Sequence, residues 1–246
     1  MISFICLCYN QEKSIIKLIK SIQYAHIPYE IIVIDDKSDD NSVNNIENLK
    51  DNNIKIIKLN KNINNQSYSR NLGVKLSKGN YIMYMDGDDY YNSYELNKLY
   101  NNLNNNDLIS IKSIHLGKIH YITYLNFSDN EILHSITMFC INRNYLIKNN
   151  IIWDENKYYV DGEDFYYTFK LLAFNPSIMY TNYYTANIIK SLNSNSLQKY
   201  INKNYIKYIK EMCLDIVLFC VSHNNINLIK YIKQYEINEI NRYLGA

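Results

Sequence analysis

Glycine and proline are scarce in this chain, with six and two among 246 residues. That leaves nothing to mark a flexible linker, and no internal repeat is visible. No glycine precedes Gly73, so neither a P-loop nor a dinucleotide-binding fingerprint follows the first strand. The five cysteines, Cys6, Cys8, Cys140, Cys213 and Cys220, are odd in number and scattered. They form no CxxC pair and no ligand spacing with histidine, which removes a structural zinc site. Cys6 and Cys8 alternate along an apolar run and read as small core residues in a reduced compartment. Neither sign of charge dominates: the formal net charge is +2, which leaves no polyanion footprint and sets nucleic acid aside as a partner. Long hydrophobic runs are missing too, since a stretch such as 216–221 falls far short of a membrane span. Met1 leads straight into Ile-Ser-Phe-Ile-Cys-Leu with no basic, cleavable leader. The expectation is a cytoplasmic enzyme, with peripheral contact at the inner membrane face as a further option.

Hydrophobic residues make up 47% of the chain, enough for a large core and too many for wholesale disorder. The abundance of tyrosine, asparagine, isoleucine and lysine follows AT-rich codons and carries no functional signal as such. The first third alternates strand and helix. Residues 2–7 form a buried-strand run, and Ile15, Ile16, Leu18, Ile19 and Ile22 share one helical face. After Pro28, residues 30–35 are a β-branched run suited to a parallel sheet buried on both sides. Asp39, Asp40 and Asn41 are helix-start candidates ahead of Val43, Ile46 and Leu49. Residues 54–59 are a third strand; a helix with Tyr68, Leu72 and Leu76 follows, Gly79 is placed as its stop, and residues 81–85 are a fourth strand. Further on, residues 108–115 and 118–124 fit a hairpin around Gly117, and 136–141 a further strand. A helix from Gly162 gathers Phe165, Phe169 and Leu172, and two amphipathic helices cover roughly 199–222 and 226–244. This order predicts an α/β fold: a Rossmann-like, doubly wound mixed sheet with a C-terminal helical extension.

In such sheets ligands bind beyond the carboxyl ends of the strands. Three polar groups fall there: Tyr9-Asn10, Asp35-Asp36 and the acidic run Asp86-Gly87-Asp88-Asp89. In an extended segment Asp86 and Asp88 project to the same side, with Gly87 bare between them. Two such carboxylates suit a hard divalent cation, Mn²⁺ or Mg²⁺, that shares its other positions with substrate phosphates and water. Glycine also lets a diphosphate approach the backbone. An ordinary Asp/Gly turn is the plain alternative. Asp35-Asp36 either accepts hydrogen bonds from a base or ribose or simply forms a turn. Arginine is rare, with Arg70, Arg143 and Arg242 alone; Arg70, on a helix bordering the rim, is either a diphosphate partner or a solvated surface cation. Glu163 and Asp164 open a helix, where one carboxylate can act as a general base while the other supports the helix terminus.

Taken in order, six blocks resemble glycosyltransferase family 2, whose members are inverting enzymes with the GT-A fold: Cys8-Tyr9-Asn10; Ile-Val-Ile-Asp-Asp at 32–36 with Ser38; Ser69-Arg70-Asn71-Leu-Gly73; Lys78-Gly79-Asn-Tyr-Ile82; Asp86-Gly-Asp-Asp89; and Gly162-Glu-Asp164. The resemblance covers roughly residues 1–190 and implies roles. Tyr9, Asn10 and Asp36 would lie on the nucleobase side, Arg70 near the base or diphosphate, and Gly87 beside the phosphates. Asp86 would serve the ribose and metal, Asp88 the metal, with Asp89 and Glu163 as supports and Asp164 as catalytic base. Trp153, in Ile-Trp-Asp-Glu, would lie on the acceptor side. Residues 1–106 would form the nucleotide-sugar half, 107–195 the acceptor and base half, and 196–246 a helical extension. The chain departs from the family in having Leu7-Cys8 where Pro-Thr is usual, and Tyr184-Thr-Ala-Asn where an arginine-rich segment often stands.

The activity the resemblance implies is transfer of a hexosyl or N-acetylhexosaminyl unit from a nucleotide-sugar donor, UDP-linked as is commonest in the family, to a hydroxyl of a glycan or lipid-linked saccharide in surface polysaccharide, lipooligosaccharide or capsule biosynthesis. A sugar nucleotidyltransferase is a rival, although it expects a glycine-rich loop after the first strand. A phosphoacceptor signalling domain would place the acidic pair after the first strand instead of the second. A non-catalytic nucleotide-sugar-binding module is the rival from another class. The C-terminal stretch interleaves Tyr200, Tyr205 and Tyr208 with Lys203, Lys207 and Lys210, which suits an anionic membrane surface, a helical lid or a homo-oligomer contact.

Overall fold

The computed structural model describes residues 1–115, 118–120, 136, 139–156, 163–188 and 205–244. Four parallel strands form its first half: β1 (Ile2–Cys8), β2 (Tyr29–Asp35), β3 (Ile54–Lys58) and β4 (Tyr81–Asp86). They are followed by β5 (Tyr90–Tyr91), β6 (Leu108–His115), β7 (Lys118–His120), β8 (Phe139–Asn142) and β9 (Ile178–Ile188). The sheet order is β3-β2-β1-β4-β8-β6-β9-β5, with β7 paired to β6. β8 runs antiparallel to both β4 and β6, which makes the sheet mixed as expected.

The helices are α1 (Ile15–Gln23), α2 (Ser42–Glu47), α3 (Gln66–Leu76), α4 (Ser93–Asn101), α5 (Arg143–Lys148), α6 (Glu163–Ala173), α7 (Tyr205–Ser222) and α8 (Ile229–Leu244), the last pair joined through a 3₁₀ turn at Ile226–Leu228. Alternation along β1 sorts them. Ile2, Phe4, Cys6 and Cys8 pack with Ile15, Leu18, Ile19 and Ile22 of α1 and with Leu96 and Leu99 of α4. Ile5 faces the other way, into a core with Trp153, α6 and the C-terminal pair α7 and α8. The period of two in a strand is what gives one sheet two cores. All five cysteines are buried and reduced, as their apolar settings lead one to expect. Among the described residues no helix is long and apolar enough to cross a membrane.

Register brings the predicted rim together. Cys8 lies beside Asp35 and Leu7 beside Asp86, so β1, β2 and β4 end at one level. The far half is bent back toward that level. Only three residues separate β4 from β5, yet β5 pairs with β9 at the opposite end of the strand order. Four residue steps reach at most about 15 Å, less than the ~19 Å that four strand spacings take in a flat sheet. The sheet therefore curls over the end of β4, and the register breaks between β6 and β9 around Lys112 mark where it bends.

Several local expectations need correction. Gly79 does not stop α3, which ends at Leu76 with Ser77 as its cap. Gly79 instead crosses β1 closely: a Cβ there would lie 2.5 Å from Ser3 Oγ and 2.8 Å from Ser3 N. Asn41 occupies the N-cap of α2 without a side-chain bond, while Asp40 Oδ1 accepts from Ser42 N at 2.8 Å. The strand expected at 136–141 is found at Phe139–Asn142. The hairpin's second arm is seen at Lys118–His120, and 121–124 lie outside the described residues, as do 199–204 ahead of α7.

Gly73 generates a test of how closely α3 packs on the sheet. A Cβ there would meet Ile5 Cγ2 at 2.4 Å, and Ile5 is fully buried. Gly73→Ala is expected to destabilise the fold by about 1–3 kcal/mol through overpacking, a drop in Tm of roughly 2–10 °C for a chain of this size. An unchanged melting curve would show that α3 sits farther from β1.

Candidate active site

The acidic run begins on the last residue of β4. The Asp86 side chain is 45% exposed, at the rim. Gly87 is buried against the end of β1, where a Cβ would come within 2.7 Å of Leu7 O and 2.9 Å of Gln11 Cγ. The bare position thus first accommodates the protein's own backbone, a use the sequence reading assigned to a diphosphate. Asp89 is buried, and its N–H donates to Asp86 O at 3.1 Å, closing a tight turn. Asp88 is half-buried; burial, and then the charge of Asp86, push its carboxyl above the usual aspartate range. Asp88 and its neighbour Asp86 are an oxygen donor set of the kind a divalent cation can use. Among the described residues no group of three or more acidic, histidine or cysteine side chains gathers at metal distance. Asp86 and Asp88 are the residues that could hold an ion, which would complete its shell from substrate phosphates and water.

Arg70 lies beneath this rim. It is 3% exposed, and its guanidinium reaches Asp164 Oδ1 at 3.1 Å, Asp86 Oδ1 at 3.5 Å and Glu163 Oε1 at 3.8 Å. Its flat face lies 4.3 Å from the Trp153 ring. The expected donor-side cation is thus turned inward, because an unpaired buried guanidinium is costly and the carboxylates are the partners at hand. Trp153 is corrected as well: at 1% exposed it faces no acceptor. It stacks on Tyr167 at 3.9 Å, with Tyr84 edge-on at 5.4 Å and Tyr84 Oη 3.2 Å from Tyr167 Oη.

Asn71 is the residue sequence reasoning passed over. Its amide accepts from Trp153 N at 2.8 Å and donates to Trp153 O at 2.9 Å, clamping that backbone like a strand partner. It also donates to Glu155 Oε1 at 2.7 Å. Its neighbour in sequence, Arg70, reaches Asp164, so one turn of α3 holds both the Trp153 platform and the carboxylate above it. An asparagine beside a buried arginine on a sheet-packed helix was the available signal, and it needed the fold to be recognised.

Asp164 enters from the first turn of α6, its side chain 21% exposed. Oδ1 takes the Arg70 bond and Oδ2 accepts from Ile136 N at 3.3 Å, so each oxygen is oriented by one donor. Burial raises its pKa; Arg70 opposes that and Asp86 adds to it. Burial likewise pushes Glu163 up to about 8, helped by Asp164 and opposed by Arg70. Burial is the larger cause at both residues, and the gathering of carboxylates around one guanidinium adds to it.

The rim beyond β1 and β2 is tied by short polar side chains. Asn10 takes a left-handed conformation (φ 53°), donates its N–H to Ser38 Oγ at 3.0 Å and accepts from Asp39 N at 3.0 Å. Gln11 N donates to Ser42 Oγ at 2.6 Å. Asp35 accepts weakly from Ser38 N, which is the turn-forming alternative. Asp36 binds the backbone of the next loop, accepting from Ile63 N at 2.7 Å and Asn64 N at 2.8 Å; any base contact would use its remaining lone pairs. Tyr9 is 49% exposed, a ring at the rim with an open face.

A doubly wound mixed sheet whose fourth strand ends in an acidic run, completed by a carboxylate from the second half, defines the GT-A class. The chain belongs to glycosyl transferase family 2, whose sequence model matches residues 3–174. The solved structure of Staphylococcus aureus TarS residues 1–349 with UDP-GlcNAc superposes with a TM-score of 0.74 at 20% identity, covering 99% of this chain and 72% of that one. Among curated relatives, the S. aureus poly(ribitol-phosphate) beta-N-acetylglucosaminyltransferase TarS is 32% identical over 34% of this chain. The Bacillus spizizenii poly(ribitol-phosphate) beta-glucosyltransferase is 35% identical over 37%, and the Escherichia coli UDP-Glc:alpha-D-GlcNAc-diphosphoundecaprenol beta-1,3-glucosyltransferase WfaP 34% identical over 37%. These matches span 15%, 15% and 36% of the relatives' own lengths.

The crowded carboxylates yield a pH test. Glu163 is raised in the fold above its unfolded value of 4.5, to about 8, so the folded state holds its proton while the unfolded chain releases it. Stability is therefore lost as pH rises between those values. Glu163→Gln removes that slope: its Tm is expected to fall less than wild type between pH 6 and pH 9, leaving the variant the more stable at pH 9. Parallel melting curves across that range would mean that Glu163 is not crowded in this way.

Proposed function

We propose that the chain transfers a hexosyl or N-acetylhexosaminyl unit from a UDP-linked donor, with inversion, to a hydroxyl of a glycan or lipid-linked saccharide. The observation that carries this reading is the meeting of Asp164 and Asp86, from opposite halves of the fold, on one buried guanidinium. The family supports sugar transfer. The UDP-GlcNAc in the TarS structure supports the donor, and the poly(ribitol-phosphate) named for TarS and the diphosphoundecaprenol-linked GlcNAc named for WfaP support an acceptor in surface polysaccharide, lipooligosaccharide or capsule assembly.

The acceptor hydroxyl attacks the anomeric carbon from the face opposite the nucleotide. Asp164 takes its proton as the new bond forms. The raised pKa makes it a stronger base than an ordinary aspartate, and Arg70 opposes the rise. The Arg70 and Ile136 bonds hold the carboxylate's plane and leave lone pairs for the incoming proton. By analogy with glycoside hydrolysis the sugar passes through an oxocarbenium-like state. Tyr9 and Asn10 flank the base, with Asp36 behind them; Asp86 and Gly87 border ribose and diphosphate, and Asp89 holds the turn. Asp88, with Asp86, would hold Mn²⁺ or Mg²⁺, and such an ion when bound neutralises charge on the departing diphosphate.

Asp164→Asn is expected to lower transfer by about 10²–10⁴-fold while UDP binding by calorimetry stays within about threefold, since the change is far from the base pocket. Chelation is expected to abolish transfer, and Mn²⁺ to restore it. An Asn variant that turns over at the wild-type rate overturns the base assignment. A wild type that binds UDP-sugars yet serves no acceptor points instead to a binding module.

A further inference from the structure

Two residues after the buried Trp153 the chain reaches the surface at Glu155. Exposed glutamates are ordinarily mobile, because holding a long side chain still costs rotamer freedom. Glu155 is tethered instead. Its main-chain O accepts from Asn65 Nδ2 at 2.9 Å, and its Oε1 accepts from Asn71 Nδ2 at 2.7 Å. Asn65 also caps α3, accepting from Tyr68 N at 3.1 Å, so that anchor is itself fixed to a helix end. Both anchors are neutral amides, which hold the carboxylate without cancelling its charge. A carboxylate offers about four acceptor sites, and the Asn71 bond takes one of them. The segment belongs with the proposed base. Lys170 of α6 donates to Ile152 O at 3.1 Å, the Trp153 ring stacks on Tyr167 of α6, and α6 carries Asp164. On the other side, Asn71 is the neighbour of Arg70, which bonds Asp164 at 3.1 Å. Glu155 and Asp164 are thus both held between α3 and α6, whereas the groups proposed for the nucleotide stand at the ends of β1, β2 and β4.

We propose that Glu155 is an acceptor-binding residue: its anchored carboxylate receives hydroxyls of an uncharged sugar and disfavours a phosphate at that place. The proposal rests on the functional reading above, in which Asp164 is the base and the acceptor hydroxyl meets it. Hydroxyls donate to a carboxylate in short, charge-assisted bonds, and its two oxygens suit neighbouring hydroxyls of a sugar ring. A phosphate brings acceptors and like charge, and like charges set side by side suppress binding. Asn65 and Asn71 set the carboxylate in place before the sugar arrives, so little ordering is left for the binding step.

The test uses octyl β-glucoside, octyl β-N-acetylglucosaminide and ribitol 5-phosphate as acceptor probes. Their binding to the UDP-loaded protein with Mn²⁺ is read by saturation-transfer NMR, and transfer to them from UDP-GlcNAc or UDP-glucose by release of UDP. Wild type is expected to bind a glycoside more tightly than ribitol phosphate. Glu155→Gln, a change at an exposed position, is expected to weaken glycoside binding and raise acceptor KM about tenfold, with UDP Kd and donor KM within about threefold. Asn71→Ala is expected to act in the same sense by less. Glu155→Lys is expected to shift preference toward ribitol phosphate by about tenfold or more, whereas a glutamate that merely supported the fold would weaken both probes alike. Glycoside binding untouched by Glu155→Gln would overturn the proposal, as would a wild type that binds neither glycoside or prefers the phosphate. A UDP Kd that rises in Glu155→Gln would put the carboxylate on the nucleotide side and overturn it too. A wild type that binds a glycoside but transfers nothing to it would count against the functional reading instead, and the binding measurements would still judge Glu155.

Discussion

A positive charge buried under the sheet edge governs the rest of this site. Taking a guanidinium out of water costs several kcal/mol even after relaxation, so Arg70 requires carboxylates close by. The fold supplies three, from β4 and the first turn of α6. Burial raises the carboxyls of Glu163, Asp164 and, further along the rim, Asp88, and their crowding adds to it, while Arg70 opposes the rise at Glu163 and Asp164. On the proposed function, the same crowding underlies both the basicity of Asp164 and the ion-holding role of Asp88. The acidic run is the exposed margin of a charge balance centred on Arg70.

The two cores divide the labour. On one side of the sheet, α1 and α4 pack against the alternate residues of β1 and leave the loops after β1 and β2 to be tied by serine, asparagine and aspartate side chains. Those bonds make a firm rim, the one proposed for the nucleotide. On the other side, α3 and α6 meet through Arg70 and Asn71 over the Trp153 stack. The curl of the sheet, enforced by the short path from β4 to β5, brings the second half over the strand ends. Asp86 and Asp164 come face to face across Arg70 because of that bend.

Much of this was legible in the sequence. The strand runs at 2–7, 30–35 and 81–85 were visible because fully buried parallel strands are uninterrupted in apolar residues, and their polar ends pointed to one rim. Asp86, Asp88 and Asp164 could be singled out by residue type and position. What could not be read was direction. Whether Arg70 points to solvent or inward depends on carboxylates and a tryptophan distant in the chain, and Trp153 itself looked like an acceptor contact until its ring was found under the guanidinium. Asp36 and Gly87 carried signals consistent with ligand contact, yet each also serves a backbone that approaches from elsewhere. Local patterns name the residues of a site; tertiary packing decides which of them face a substrate.

The central claim is that one base, Asp164, serves a single displacement across this charge balance. The configuration of the product tests it most directly. Proton NMR of the saccharide formed from an α-linked UDP-sugar should show a β-linkage from the first turnovers onward. An α-linked product would mean retention, and with it a mechanism in which Asp164 is not the base described.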